Sequence, residues 1–164
     1  MNVKVNGIEC RALFDTGAGS SYASAKLIEL LKINPVDVEV KQIDMLMGTS
    51  LAHLETYQSC VESVCGNFKM DVKLIKVNKG ELLTLDNLNY DAVIAKHPHL
   101  KGVRMRDRDT KHQLQVHIVL GAGEYARIKT ENRPHIGKDG EQLLSLPNLV
   151  GLLCLLDRSS TEMR

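Results

Sequence analysis

The sequence predicts a mainly β domain with one or two short helices. Asn6-Gly7 lies between two apolar runs, which is typical of a tight β hairpin because both residues tolerate positive φ. Two longer runs of alternating apolar and polar residues, at 51–64 and 68–77, flank Cys65-Gly66-Asn67 and predict a second, longer hairpin. Clear helical spacing occurs only after Ser24.

The first hairpin leads directly into the most informative stretch of the chain. Its second strand, at 8–14, runs into Asp15-Thr16-Gly17, so this carboxylate is expected at the end of a strand. From Ser24, a suitable N-cap, apolar residues follow with helical spacing until Asn34-Pro35, which predicts a helix of about two turns. Beyond Pro35 the alternation of Val36, Val38 and Val40 predicts another strand, and Gly48-Thr49-Ser50 resembles a turn.

Length and composition indicate one ordered domain and exclude several classes of partner. The 164 residues are 43% apolar and 25% charged, which is ordinary for a folded globular chain. A formal net charge of +1 gives no global indication of binding to nucleic acid or membrane. Four cysteines and no basic-then-apolar leader favour reduced thiols inside a cell, so we expect an intracellular, cytoplasmic protein.

The sequence contains only weak signals for a metal site or a nucleotide site. Cys60 and Cys65 lack a second pair of ligands, and His97-Pro98-His99 has no acidic or thiol companion nearby, so no metal or other cofactor is expected. Residues 121–126 match the pattern G-x-G-x-x-A of dinucleotide-binding folds. The charged segment that follows contains Pro134 and no apolar strand, so we interpret these glycines as a strand-to-helix turn that allows close packing.

The Asp15 loop carries the residue types of a catalytic site. Asp15 supplies a carboxylate, Thr16 a short hydroxyl and Gly17 a position where the backbone can turn and approach a ligand. We expect apolar strands to bury this carboxylate, so that it differs from an ordinary surface acid.

Together these residues resemble the retropepsin-type aspartic peptidases. The landmarks are Asn6-Gly7, Asp15-Thr16-Gly17-Ala18 and Ile118-Val119-Leu120-Gly121. Residues 98–103 and 116–130 are similar, more narrowly, to the peptidase domain of BEL/Pao-type retrotransposon polyproteins. The resemblance covers residues 3–130 and implies a closed β-barrel of the acid-protease kind, in a domain spanning 1–135.

The resemblance also implies roles for individual residues. Asp15 would be the catalytic aspartate, Thr16 would brace the two loops beneath the site, and Gly17 would form the loop under the substrate. The substrate-binding residues would be Ala18, Gly48, Thr49, Leu120 and Gly121. A glycine-containing hairpin tip would serve as a flap, and the order along the chain favours the Gly48 turn over the Gly66 turn. Members often have an acidic residue two positions after the later glycine, where this chain has Gly123 followed by Glu124.

The chemistry implied requires a partner. Hydrolysis by this mechanism needs two carboxylates that share one proton, and the chain contains one Asp-Thr-Gly triplet. We therefore expect a homodimer in which Asp15 meets its symmetry mate across a two-fold axis. The expected substrate is a peptide or polyprotein, and the alternative function is an inactive remnant that dimerises or binds peptides.

The last segment, 136–164, is interpreted as a C-terminal tail. Its apolar stretch at 143–156 is interrupted by Pro147 and Asn148 and is shorter than a bilayer span, so no membrane anchor is expected. A helix that docks on the domain, a dimer contact and the start of a truncated polyprotein region all remain open, and the last two are favoured equally.

Overall fold

The computed structural model describes residues 1–45, 48–98, 101 and 109–128, and over these residues it confirms the mainly β fold. The strands are β1 (Asn2–Val5), β2 (Ile8–Phe14), β3 (Ser21–Ser24), β4 (Asp37–Met45), β5 (Gly48–Ser63), β6 (Lys69–Val77), β7 (Leu83–Asp86), β8 (Gln113–Val116) and β9 (Ile118–Leu120). The helices are α1 (Ala25–Leu31), α2 (Tyr90–Lys96) and α3 (Ala122–Ile128).

Seven strands form one sheet, in the order β1-β2-β9-β3-β6-β5-β4. Because β1 also pairs with β5, six of these strands close into a ring, and within the described residues β4 pairs with β5 alone. The remaining two strands, β7 and β8, form a separate antiparallel pair.

The Asn6-Gly7 hairpin is confirmed. Asn6 and Gly7 have φ values of 46° and 86°, and Val5 lies opposite Ile8 across the turn. The Asn6 side-chain oxygen accepts a hydrogen bond from the backbone of Cys60 at 2.8 Å, which ties this hairpin to β5. The turn therefore contributes to ring closure as well as to the hairpin itself.

The hydrophobic core lies inside the ring and consists of aliphatic side chains from almost every ring strand. Alternate residues of β1 and β6 point inward, as the period of two in a strand requires. The fully buried aliphatic side chains of the ring and its first helix include Val3, Val5, Val61, Val72, Leu27, Leu74, Ile118 and Leu120.

Helix α1 begins as expected, but the number of helices differs from the prediction. The Ser24 side chain accepts the amide hydrogen of Leu27, and the helix ends at Lys32 in the left-handed region. The prediction of one or two helices is wrong, since the described residues contain three. Helix α2 contains no buried residue, so it has no amphipathic face that an apolar periodicity could have revealed.

The second hairpin is present, but its strand begins earlier than predicted. Gly48, Thr49 and Ser50 belong to β5 and pair with the last three residues of β4, so the prediction of a turn at these positions is wrong. The connection between the strands falls at residues 46–47, which lie outside the described residues. Strands β5 and β6 join across the Gly66 turn as predicted.

One of the three described cysteines differs from the prediction. Cys10 and Cys60 are free thiols, but Cys65 is disulfide-bonded, so the expectation that all cysteines are reduced is wrong at this position. In the described part of the chain, no helix is long and apolar enough to cross a bilayer. The predicted tail at 136–164, including the apolar stretch and the domain boundary at 135, lies outside the described residues.

Candidate active site

Asp15 is positioned by the pairing of two parallel strands. Phe14, the last residue of β2, lies opposite Leu120, the last residue of β9, and the ladder extends one step further because the Asp15 amide donates to the Leu120 carbonyl at 3.0 Å. The carboxylate is therefore delivered from the end of a strand, and the later apolar-apolar-Gly segment lies directly beside it.

The Asp15 carboxylate closes the turn that follows it. The Gly17 amide donates to the Asp15 Oδ1 atom at 2.9 Å, and the Ala18 amide donates to the Asp15 carbonyl at 3.1 Å. Aspartate often forms such local turns, because its short side chain reaches the backbone two residues ahead. A methyl group added at Gly17 would lie 3.2 Å from Oδ1, so the small residue leaves room for the carboxylate.

Asp15 and Thr16 are exposed in the single protomer. The expectation that apolar strands bury this carboxylate is wrong for one chain, because the strands end at Phe14 and the loop projects beyond them. The Thr16 hydroxyl has no hydrogen-bond partner among the described residues of one protomer. Both side chains are therefore accessible to a second molecule.

Gly121 is held between two carbonyl groups of the Asp15 loop. A Cβ atom at this position would lie 2.7 Å from the carbonyl oxygen of Ser20 and 2.8 Å from that of Ala18, distances that real Cβ atoms do not show. The Ala122 amide donates to the same Ala18 carbonyl at 2.9 Å. Only glycine permits this close approach.

Ser21 and Glu124 complete the connection, and sequence reasoning gave neither of them a role. The Ser21 hydroxyl accepts the Gly121 amide hydrogen at 2.9 Å and donates to the Glu124 Oε2 atom at 2.6 Å. The signal in the sequence was the displaced acid itself, Glu124 in place of an acid at position 123. In addition, the rings of Phe14 and Tyr125 pack edge to face at 5.9 Å, which holds α3 against β2.

The structure brings most of the predicted site residues together. Hydrogen bonds join Asp15 to Gly17, Ala18 and Leu120, and Gly121 packs against the Ala18 carbonyl. The other two predicted substrate-binding residues, Gly48 and Thr49, are exposed at the beginning of β5 and belong to a different part of the sheet.

Gly48 and Thr49 lie on a two-stranded arm. Within the described residues, β5 pairs with β6 only from Thr56 onward, whereas it pairs with β4 from Gly48 to Thr56. The arm therefore extends beyond the ring. Four apolar side chains on or beside it are more than half exposed: Val36, Val38, Val40 and Leu51.

A second group of polar side chains lies at β2 and the end of β3. Arg11 is buried and pairs with Asp109 at 3.2 Å, next to a cavity of about 500 Å³ that Cys10 and His117 also line. Burial raises the pKa of the Cys10 thiol to about 12. Burial, with a smaller effect of Lys26, lowers the pKa of His117, whose Nδ1 atom lies 3.0 Å from the Ser24 hydroxyl.

Metal binding receives no support from the described ranges. Across residues 1–45, 48–98, 101 and 109–128, no group of three or more His, Cys, Asp or Glu side chains converges closely enough to hold a metal ion. The chemistry available at the Asp15 loop is that of a carboxylate, the hydroxyls of Thr16 and Ser20, and backbone amides.

A mainly β ring in which an Asp-Thr-Gly loop contacts an apolar-apolar-Gly strand defines the class of aspartic peptidases. Comparison with known families agrees. A profile of the aspartyl protease family matches residues 1–121, and the chain belongs to this family. A search of curated proteins found no significant match.

Proposed function

We propose that this protein is an aspartic endopeptidase in which Asp15 is the catalytic carboxylate. The observation that carries the proposal is the hydrogen bond from the Asp15 amide to Leu120, which joins the Asp-Thr-Gly loop to the glycine strand while the carboxylate stays exposed. Membership of the aspartyl protease family supports the same reaction.

The second carboxylate comes from a second copy of the chain. One carboxylate must deprotonate the attacking water while the other protonates the carbonyl oxygen, and the sequence holds a single Asp-Thr-Gly. In a two-fold dimer the two Asp15 side chains lie close together and share a proton, because like charges at such a distance cannot both ionise easily. Thr16, exposed in one protomer, braces the two loops in the dimer.

The substrate is an extended peptide bound between the Asp15 loop and the β4–β5 arm. Ala18, Leu120 and Gly121 form the floor, and Gly48 and Thr49 contact the peptide from the flap. Two features of the arm support this role. It extends past the ring on the Gly48 side of Thr56, and it carries exposed valines. The Gly66 turn is a poorer flap because it is short and closed by a hydrogen bond from the Gly66 amide to the Ser63 carbonyl at 2.9 Å.

The biological role proposed is the processing of a retroelement polyprotein of the BEL/Pao type inside the cell, in the cytoplasm or within retroelement particles. The resemblance of residues 98–103 and 116–130 to the peptidase domain of that group supports this role. The second candidate is an inactive member of the family that dimerises or binds peptides. Exposure of Asp15 and Thr16 in one protomer suits this candidate as well, so a measurement of cleavage must decide.

The test is cleavage of a peptide library by the purified chain. We expect cleavage that pepstatin inhibits and that Asp15→Asn abolishes, whereas Asp71→Asn, an exposed aspartate on β6, retains it. Cleavage by Asp15→Asn at the wild-type rate would refute the assignment. Absence of cleavage by a folded wild-type dimer would favour the inactive candidate.

Subunit mixing tests the shared site. Equimolar wild-type and Asp15→Asn chains, exchanged by dilution and reconcentration, should give about half the activity of the same amount of wild-type chain, because mixed dimers lack one carboxylate. Activity that is unchanged by an excess of the variant would show that a single chain suffices. Sedimentation at matched concentrations would report whether dimers are present.

A further inference from the structure

Four hydrogen bonds connect residues 15–21, which comprise the Asp15 loop and the first residue of β3, with the segment that begins at Leu120. Two join backbone groups, from Asp15 to Leu120 and from Ala122 to Ala18. The other two pass through the Ser21 hydroxyl, which accepts from Gly121 and donates to a carboxylate oxygen of Glu124. Only this second pair depends on side chains, so substitution can remove it.

The direction of the side-chain pair is fixed by counting protons. The Gly121 amide can only donate, so the Ser21 oxygen must accept from it, and the single hydroxyl hydrogen is then left for Glu124. The distance of 2.6 Å between the two oxygens is typical of a hydroxyl that donates to a charged carboxylate. Ser21 is 2% exposed, so bulk water does not compete with Glu124 as the acceptor while the Glu124 side chain is in place. Glu124 therefore takes the Ser21 hydroxyl hydrogen and leaves the Ser21 oxygen free to accept from the Gly121 amide.

The position of Gly121 sets the position of Asp15. Gly121 adjoins Leu120, which accepts the Asp15 amide hydrogen, and Gly121 lies against the carbonyl groups of Ser20 and Ala18. A shift of this glycine therefore moves the loop that carries the carboxylate. Catalysis by two carboxylates depends on their alignment, and misplacement by about 1 Å can reduce an enzymatic rate by roughly a hundredfold.

We propose that Ser21 and Glu124 are positioning residues of the peptidase, a role that rests on the proposed function above. Glu124 accepts the Ser21 hydroxyl hydrogen, and Ser21 accepts the Gly121 amide hydrogen. Gly121 in turn packs against the Asp15 loop and fixes it in the position at which two carboxylates can meet. Neither side chain contacts the substrate. Glu124, one place beyond the usual acidic position, supplies the acceptor because α3 directs it back to Ser21.

The test compares Glu124→Ala, Glu124→Asp and Glu124→Gln with Ala126→Ser, a control at an exposed position of the same helix. With a peptide cleaved by the wild-type chain, we expect Glu124→Ala to reduce kcat about ten- to a hundredfold with little change in KM. Glu124→Gln keeps an acceptor oxygen and should stay within about threefold of wild type, like the control. The kcat of Glu124→Asp should be intermediate, and this variant replaces Glu124→Ala in the comparison if Glu124→Ala does not fold.

Coupling distinguishes a relay from general damage to the fold. Ser21→Ala should reduce kcat about as much as Glu124→Ala, and the double variant should be little worse than either single variant, because both remove the same connection. Titration of active sites with pepstatin corrects each kcat for the folded fraction. Equal rates for Glu124→Ala and Ala126→Ser, or multiplicative losses in the double variant, would overturn the proposal.

Hydrogen exchange at the Gly121 amide gives a readout that needs no catalysis. We expect this exchange to accelerate at least about tenfold in Ser21→Ala and Glu124→Ala while other β9 amides keep their protection. If the wild-type chain cleaves and neither exchange nor kcat changes, the positioning role fails and the proposed function stands. If the wild-type chain does not cleave, the proposed function and the catalytic role of the pair both fail.

Discussion

The close approach at Gly121 makes Gly121→Ala the most discriminating perturbation of the fold and the site together. The added Cβ atom would meet two carbonyl oxygens, from Ser20 and Ala18, at 2.7 and 2.8 Å, whereas ordinary contact begins near 3.4 Å. Strand and loop must therefore separate by about 0.6–0.7 Å, which would stretch the 3.0 Å bond between Asp15 and Leu120 beyond useful length.

The expected cost combines overpacking with the loss of hydrogen bonds. Overpacking a close-packed position costs about 1–3 kcal/mol, and each weakened hydrogen bond adds roughly 1 kcal/mol. We therefore expect Gly121→Ala to lower the free energy of unfolding by about 2–4 kcal/mol, a fall in Tm of roughly 6–12 °C for a domain of this size. If the proposed function holds, peptide cleavage should fall more steeply than the folded fraction.

The neighbouring Gly123 provides a matched control. A Cβ atom there would meet nothing within 4 Å, and the residue lies in α3, so Gly123→Ala should be neutral or stabilise by up to about 1 kcal/mol. Urea unfolding followed by circular dichroism, at one protein concentration, would measure both variants. Stabilities of Gly121→Ala and Gly123→Ala that agree within about 0.5 kcal/mol would refute the packing argument.

The shifted pKa values of two partly buried groups, Cys10 and His117, give two further predictions. Because the pKa of Cys10 is raised to about 12, we expect iodoacetamide at pH 8 to modify this thiol at least about 100-fold more slowly than an ordinary free thiol. The rate is measured by intact mass in the Cys60→Ser variant, which lacks the other free cysteine among the described residues. Labelling of Cys10 at the ordinary rate would contradict this prediction. Because the pKa of His117 is lowered in the folded state, its contribution to stability is present above the unfolded pKa near 6.5 and is lost as the pH falls below it. The urea midpoint should therefore fall between pH 7.5 and 5 more steeply for wild type than for His117→Gln, and equal slopes would show that this histidine is not the cause.

The sequence predicted those parts of the fold that depend on neighbours along the chain. Positive φ at Asn6 and Gly7 and the cap of α1 by Ser24 are local requirements, and the residues that meet them stand next to one another. Helix α2 was not predicted because it buries no side chain and so leaves no periodicity to detect. The disulfide at Cys65 likewise had no local signal, because pairing is not legible from the spacing of cysteines.

Contacts between distant parts of the chain could be expected only through the resemblance. Closure of the ring depends on Val5 opposite Val61, and no local pattern states which strand of a β domain will pair with the first. The same limit explains the candidate site. The Asp-Thr-Gly triplet is readable, but the hydrogen bond between Ser21 and Glu124 joins residues 103 positions apart and involves two ordinary polar residues.

The expectation that failed at Asp15 bears directly on the proposed mechanism. A carboxylate buried in one protomer could not be approached by another carboxylate, whereas Asp15 is exposed on a loop that is hydrogen-bonded to β9 and α3, as the proposed dimer requires. Desolvation and proton sharing would then arise only on association, since both require the second chain. The single protomer therefore has the two properties that a shared site needs: an accessible acid and a support that holds its position.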